Sequence, residues 1–148
     1  MVDRFERFSL AISEINRYWH RLTTQEMEPY GLKGAHCIYL LALARHPEGI
    51  TAPRLCEACD KDKADVSRTM ALQEQKGMAV REGTHYRALY RLTEPGMAAA
   101  EHVKKRAALA VEIAGSDLTD ENRTAFYDAL ESITARLRKL NEEGLPEA

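Results

Sequence analysis

Residues 51–93 read TAPRLCEACDKDKADVSRTMALQEQKGMAVREGTHYRALYRLT, and this segment carries the most specific structural signals in the chain. It holds two short amphipathic segments separated by a polar turn, followed by two short strand-like runs around a small polar tip. This order predicts a helix-turn-helix with a β-hairpin wing. The chain is therefore expected to be mainly α with a small β wing.

The first helix of the unit is predicted to begin after Thr51 and to end near Asp60. Thr51 is expected to cap it by accepting a backbone N–H, and Pro53 suits the first turn, where a donor is not needed. Asp tolerates the left-handed backbone that a sharp turn requires. Leu55 gives this helix an apolar inner side.

The second helix is predicted over residues 62–76, with Val66 and Met70 on its inner face and Gly77 just past its end. An arginine and short polar residues in the first turns of a helix suit the major groove, where Arg can bond guanine bidentately. This is therefore the predicted recognition helix. The residues expected to face outward and contact DNA are Lys63, Ala64, Asp65, Ser67 and Arg68.

The wing is predicted as strands 78–82 and 87–92 around a tip at residues 83–86, with Ile50 adding a third short strand. Arg81 and Arg87 flank the tip, and His85 lies on it. These three side chains are expected to bind phosphate, which strengthens binding without reading sequence.

Several short motifs in and after this stretch occur in a characteristic order. DKADVSR at 62–68, KGM at 76–78, Arg81 and LTEPG at 92–96 together resemble the signature of the MarR (multiple antibiotic resistance regulator) family of winged-helix transcription regulators. The resemblance extends over about residues 5–140. It implies a homodimer that binds a pseudo-palindromic operator on double-stranded DNA, represses by occluding a promoter, and responds to a ligand or chemical signal.

The sequence departs from the family pattern in the recognition helix and in the wing. Lys61 and Gln73 stand where the family usually has apolar residues, so a thinner inner face is expected. The wing is shorter and lacks the acidic residue that normally precedes its arginine. Arg87 also lies one residue closer to the Leu-Thr pair than the family arginine does.

Length and composition indicate one globular domain: 148 residues, 45% hydrophobic and 30% charged. The amphipathic, charged N-terminal segment predicts neither a signal peptide nor a membrane span, and three cysteines give no disulfide framework, so a cytoplasmic protein is expected. The net charge is −2. Residues 51–93 nevertheless carry 8 basic and 6 acidic groups, whereas residues 94–148 carry 7 and 11. The small positive excess thus falls on the predicted DNA-binding segment.

Both ends of the chain carry apolar stripes at alternating spacings of three and four, which is typical of helices that pair with another helix. The N-terminal stripe comprises Phe5, Phe8, Ile12, Ile15, Trp19 and Leu22, and the C-terminal one Phe126, Leu130, Ile133, Leu137 and Leu140. Packing on the chain's own core is the alternative. The predicted organisation is a single domain, 1–148, with dimerisation helices at 1–30 and 116–142, a winged lobe at 33–93 that includes a buried helix at 33–45, a linking helix at 94–115, and a frayed tail at 141–148.

Two groups of residues could form a metal-binding or redox site. Cys56 and Cys59 form a CxxC, but zinc needs four ligands and no second pair is present, so both are expected to be core-facing. A sensor formed by His36, Cys37, Glu101 and His102 is the second hypothesis, with a half-buried histidine and a core cysteine as the alternative. No metal or cofactor is predicted.

No phosphate loop or nucleophile motif is present, so an enzyme is not expected.

Aromatic and polar residues near the helix ends are predicted to line a crevice for a small aromatic ligand. They are Trp19, His36 and Tyr39, together with Tyr18 and His102. Aromatics at helical spacing also pack in cores, and both interpretations stand for Trp19 and Tyr39. A protein-interaction winged helix is the rival function, favoured by the mild positive charge and by the two aspartates flanking Lys63.

Overall fold

The computed structural model describes residues 3–147, except the side chain of Tyr86. The helices are α1 (Arg4–Met27), α2 (Cys37–Ala44), α3 (Ala52–Cys59), α4 (Lys63–Gln75), α5 (Glu94–Ala114) and α6 (Asp120–Glu143), and the strands are β1 (Ile50–Thr51), β2 (Ala79–Glu82) and β3 (Leu89–Leu92). The chain divides into two compact units, Met1–Ala108 and Leu109–Ala148. No helix in the described part is long and apolar enough to cross a membrane. The predicted mainly α fold with a small β wing is confirmed.

The first helix is longer than the apolar stripe at 5–22 indicated, because its last turns join the core of the winged lobe. Met27 is fully buried there. The turn before α2 lies against this end of α1, and the N–H of Gly34 donates a 3.2 Å hydrogen bond to Oγ1 of Thr24. A Cβ at Gly34 would clash with that hydroxyl and with the carbonyl of His20. Glycine therefore permits this close approach.

The buried helix is shorter than the predicted 33–45. A 3₁₀ turn, Gly34–His36, precedes α2, and Nδ1 of His36 accepts the N–H of Lys33 at 3.0 Å. The imidazole thus closes the turn that precedes α2. Burial of α2 is as expected from its apolar sequence, with Tyr39 and Leu40 among its fully enclosed residues.

The helix-turn-helix forms as predicted, with one exception at the start of α3. Asp60 ends α3 in the left-handed region at φ 52°, and Asp62 caps α4. Thr51 occupies the cap position of α3, but in the described structure its side chain makes no capping hydrogen bond. The expected cap is therefore wrong. Thr51 instead pairs as part of β1 with Leu89.

The comparison with the family pattern suggested a thinner inner face for α4. In the structure, Gln73 is buried on that face. Gln73 is 0% exposed, alongside buried Val66 and Met70, whereas Lys61 is exposed. Neither amide atom of Gln73 has a hydrogen-bond partner among the described residues. The glutamine therefore fills an apolar position with a polar group.

The wing is a three-stranded antiparallel sheet in the order β1-β3-β2. Strand β3 was predicted to begin at Arg87 but begins at Leu89, because residues His85–Arg87 form a 3₁₀ turn with His85 at φ 56°. The tip is consequently longer than the predicted 83–86. Arg87 lies in that tip rather than on a strand.

The helices that follow the wing each begin at a threonine cap. The N–H of Gly96 donates to Oγ1 of Thr93 at 3.1 Å, and the N–H of Asn122 donates to Oγ1 of Thr119 at 3.1 Å. The last helix continues to Glu143, so residues 141–143 of the tail are helical and not frayed. Ala148, the end of that predicted tail, lies outside the described residues.

Candidate nucleic-acid interface

The outer surface of α4 carries most of the predicted DNA contacts. Val66 and Met70 are buried against the lobe, which fixes the roll of the helix about its axis. The exposed residues of its opening turns are Lys63, Ala64, Ser67 and Arg68. Two cations, a hydroxyl and a small side chain are therefore presented together to solvent.

Asp65 departs from the outward orientation predicted for it. It is half-buried, and its Oδ2 accepts a hydrogen bond from the hydroxyl of Tyr39 in α2. Its Oδ1 lies 3.6 Å from Nη2 of Arg68. Both oxygens thus have partners within the lobe. This contact could not be predicted from the sequence, because Tyr39 and Asp65 are far apart along the chain.

Tyr39 is a core residue in this structure and not part of a ligand crevice. It is 1% exposed. Burial and the hydrogen bond to Asp65 raise the pKa of its hydroxyl. The hydroxyl therefore stays protonated and remains a donor to the Asp65 carboxylate at neutral pH.

Arg81 is held in place at the base of the wing tip. Its Nη2 donates to the carbonyl of His85 at 3.1 Å, and its guanidinium lies 5.9 Å from the centroid of the Tyr90 ring on the neighbouring strand. His85 and Arg87 are exposed at the tip. Arg81 is thus partly preorganised, which lowers the entropy lost when it binds an anion.

The two α1 members of the predicted crevice are exposed. Trp19 is 37% and Tyr18 52% exposed. The guanidinium groups of Arg17 and Arg21 lie 5.0 and 5.8 Å from the Tyr18 ring centroid. Tyr18 therefore lies beside two cations of its own helix.

His102 lies in a cluster of charged residues that links α1 to α5. Glu26 accepts from Nε of Arg106 at 2.9 Å and lies 3.2 Å from Nε2 of His102, and the ring of Tyr30 packs edge-on to that imidazole. The hydrogen bond from Arg106 lowers the pKa of Glu26, and His102 adds to this effect. The sequence did not reveal this cluster, because its members are far apart in the chain.

His102 also lines an open groove along α5, with a volume of about 510 Å³. The other lining residues are Glu94, Met97, Ala98, Glu101 and Lys105. Of the predicted crevice residues, only His102 lines this particular groove. A crevice containing Tyr39 is not formed in this conformation.

The proposed His36, Cys37, Glu101 and His102 sensor does not assemble. Within residues 3–147, no three His, Cys, Asp or Glu side chains are placed to hold a metal ion. Burial, and then the nearby Lys33, lower the pKa of His36. Burial raises the pKa of the Cys37 thiol. Both residues therefore favour their neutral forms.

The CxxC cysteines face the core of the lobe, as expected from the sequence. Cys59 is buried and Cys56 half-buried, and both thiols are free. Sγ of Cys59 lies 3.8 Å from the carbonyl of Ile38, and burial raises its pKa to about 11. A thiol in this state is a poor nucleophile and a poor metal ligand.

Together, an exposed polar face on α4 and a β-hairpin with cations at its tip define the winged helix-turn-helix class. Residues 30–89 match the model of the MarR family. Over these residues the chain is similar to the MarR family. Comparison with curated proteins gives no significant match.

Solved structures of MarR regulators superpose on most of the chain. A MarR transcriptional regulator from Methanosarcina mazei Go1 is 26% identical, with a TM-score of 0.82 over 95% of this chain and 94% of that one. A MarR family regulator from Listeria monocytogenes in complex with a 26mer DNA is 18% identical, with a TM-score of 0.81 over 100% and 99%. CouR from Rhodococcus jostii RHA1, bound to p-coumaroyl-CoA, is 20% identical, with a TM-score of 0.73 over 85% and 90%. The last two likenesses concern the fold alone.

Proposed function

We propose that the protein is a homodimeric transcriptional repressor that binds a pseudo-palindromic operator in the cytoplasm and releases it on binding a small ligand. The observation that carries this proposal is the outer face of α4. It presents Lys63, Ser67 and Arg68 in its first two turns, where a recognition helix meets base edges and phosphates. Arg68 is well placed for this role, since its side chain is 73% exposed.

The wing supports the same assignment. Arg81, His85 and Arg87 are exposed on or beside its tip, where they can contact the phosphate backbone next to the major groove. The Listeria monocytogenes regulator that shares this fold was crystallised with DNA. Occlusion of a promoter by such binding is the simplest mode of regulation.

Homodimer formation is proposed from the stripe along α1. Phe5 is 72% exposed, and Ile15 and Leu22 are also exposed in the single chain. Large apolar side chains in a continuous row rarely remain in contact with water and usually mark an interface. Within the second unit, Phe126, Ile133 and Leu137 of α6 are likewise exposed. A second copy of the chain is the proposed partner for both stripes.

The dimer would present two recognition helices to one face of the duplex. They must then lie about 34 Å apart to enter successive major grooves. This requirement explains why a pseudo-palindromic operator is expected, since a twofold axis in the protein is matched by one in the DNA.

The proposed effector is a small aromatic acid, since His102 lines the groove along α5 and can donate a hydrogen bond to a carboxylate. CouR, which shares the fold, was crystallised with p-coumaroyl-CoA. A coupling free energy of about 1–3 kcal/mol is sufficient for an effector to release DNA. A thermal-shift screen of aromatic acids tests this, with the fluorescence of Trp19 as a second readout. If none raises the Tm or moves the emission, this class of effector is wrong.

DNA binding is tested with duplexes selected by the purified protein from a random pool, including the DNA that flanks its own gene. Fluorescence anisotropy then gives Kd at two salt concentrations for the selected and for a shuffled duplex. We expect tight, sequence-specific binding that weakens steeply with salt, because phosphate contacts release counterions. Failure to select any sequence, with weak and equal binding to both duplexes, would favour the protein-interaction alternative.

A further inference from the structure

The carboxylate of Asp65 connects the buried helix α2 to the outer face of α4. One oxygen accepts from Tyr39, and the other lies 3.6 Å from the guanidinium of Arg68. A buried hydroxyl, a half-buried carboxylate and an exposed cation thus form a chain from the core to the surface. This row of contacts ends at Arg68, the side chain that is proposed to recognise a base.

The backbone around Asp65 is restrained as well as its side chain. Its N–H donates to Oδ1 of Asp62 at 2.7 Å, so the residue is fixed within the capped first turn of α4. Tyr39 is fixed by its burial in the core. The carboxylate is therefore a rigid point from which Arg68 can be oriented.

Orientation matters because an exposed arginine has many side-chain conformations. Bidentate reading of guanine requires one arrangement of the planar guanidinium, and restraint in advance reduces the entropy lost on binding. The same hydrogen bond from Tyr39 turns the carboxylate of Asp65 toward the lobe and away from approaching phosphates. Without it, an acidic side chain would stand among the groups that face DNA.

We propose that Asp65, anchored by the hydroxyl of Tyr39, is a positioning residue that sets the orientation of Arg68 and thereby the sequence specificity of the recognition helix. This inference rests on the proposed function. It assigns to Asp65 and Tyr39 a role in discriminating between sequences and not in contacting DNA.

The test is a double-mutant cycle on the specificity ratio, which is the Kd for a shuffled duplex divided by the Kd for the selected operator. Tyr39→Phe removes the hydroxyl and keeps the ring. Asp65→Asn keeps an oxygen that can accept from Tyr39 but removes the charge beside Arg68. Each is measured alone and in the Arg68→Ala background. Tyr30→Phe is the matched control, since Tyr30 packs on the same core but against His102 of α5.

We expect Tyr39→Phe and Asp65→Asn each to lower the specificity ratio by about 3- to 30-fold, in line with coupling between contacting residues. In the Arg68→Ala background, neither change should alter the ratio further. A merely structural role would weaken binding to both duplexes alike and leave the ratio unchanged. Tyr30→Phe should leave it unchanged as well.

A measurement without DNA supports the cycle. NMR relaxation of the Arg68 Nε–H group should show a more ordered side chain in the natural protein than in Asp65→Asn or Tyr39→Phe. Equal order in all three, or equal effects of the substitutions in both Arg68 backgrounds, would overturn the positioning role alone. If the natural protein itself shows no preference for any duplex, the proposed function fails, and the positioning role fails with it.

Discussion

The carboxylate of Asp62 accepts a 2.7 Å hydrogen bond from the backbone N–H of Asp65, and this bond fixes the start of the recognition helix. Asp62 has extended backbone angles, as a capping residue requires. An acidic cap also interacts favourably with the positive end of the helix dipole. The sequence DKADVSR therefore contains the signal for its own helix start.

We expect Asp62→Ala to lower the free energy of unfolding by about 0.5–2 kcal/mol, the usual cost of losing an N-cap. Thr51→Ala is the matched control, because Thr51 occupies the corresponding position of α3 without a capping bond from its side chain. Its loss should be within about 0.5 kcal/mol. Urea denaturation gives both values. Equal losses for the two variants would contradict the assigned caps.

Gln73 gives a prediction of the opposite sign. Its buried amide has no partner among the described residues, and an unpaired polar group in a core is costly. We expect Gln73→Met, which has a similar shape, to raise the free energy of unfolding by about 1–3 kcal/mol. Gln75→Met is the control, since Gln75 is exposed on the same helix. A loss of stability in Gln73→Met would indicate that the amide is paired, for example with a buried water.

His36 makes stability depend on pH. Its pKa is lowered in the folded state by burial and by Lys33, and its unprotonated Nδ1 accepts the N–H of that lysine. Between the lowered folded pKa and the unfolded value of about 6.5, the unfolded chain binds more protons, so stability falls as pH falls. The contribution is complete above the unfolded pKa and is lost toward the folded one.

We expect His36→Asn, whose amide oxygen can accept the same N–H, to flatten this part of the pH profile. Urea denaturation between about pH 5 and pH 7.5 covers the transition. His85→Asn is the control, because His85 is exposed on the wing. Parallel profiles for the natural protein and His36→Asn would show that His36 is not the group responsible.

The elements that the sequence predicted correctly depend on neighbours in the chain. Asp60 ends α3 in a left-handed conformation, Gly77 follows α4 at φ 75°, and Thr93 caps α5. Each of these signals acts over about four residues. Two local signals failed: Thr51 does not cap α3, and the 3₁₀ turn at His85–Arg87 replaces the first residues of the predicted strand.

The errors at the candidate site come from contacts between distant parts of the chain. Periodicity places Asp65 near the surface but cannot show that Tyr39 donates to it from another helix. The apolar stripe did not show where α1 ends either, because its last turn is held by Met27, which packs in the core of the winged lobe. The cluster of Glu26, His102 and Arg106 was missed for the same reason. The proposed ligand residues were selected by type, and type does not determine which side chains meet.

The exposed apolar stripe of α1 predicts a dimer, and a charged side chain introduced into that stripe should weaken it. We expect Ile15→Glu to destabilise the dimer by about 2 kcal/mol or more, because a carboxylate would be buried in an apolar interface. Ser13→Glu is the control, since position 13 lies away from the stripe. Light scattering with size-exclusion chromatography gives the mass of each. A stable dimer in Ile15→Glu would contradict the proposed interface.

Arg68→Ala is the critical test of DNA recognition by α4. Anisotropy titrations compare the natural protein, Arg68→Ala and the control Arg136→Ala, which alters an exposed arginine of α6. Circular dichroism checks that all three fold alike. We expect Arg68→Ala to lose about 1–3 kcal/mol of binding free energy per half-site on the selected operator, and much less on shuffled DNA. Arg136→Ala should bind as the natural protein does. If Arg68→Ala folds normally and binds both duplexes with unchanged affinity, Arg68 does not contact DNA and α4 is not the recognition helix.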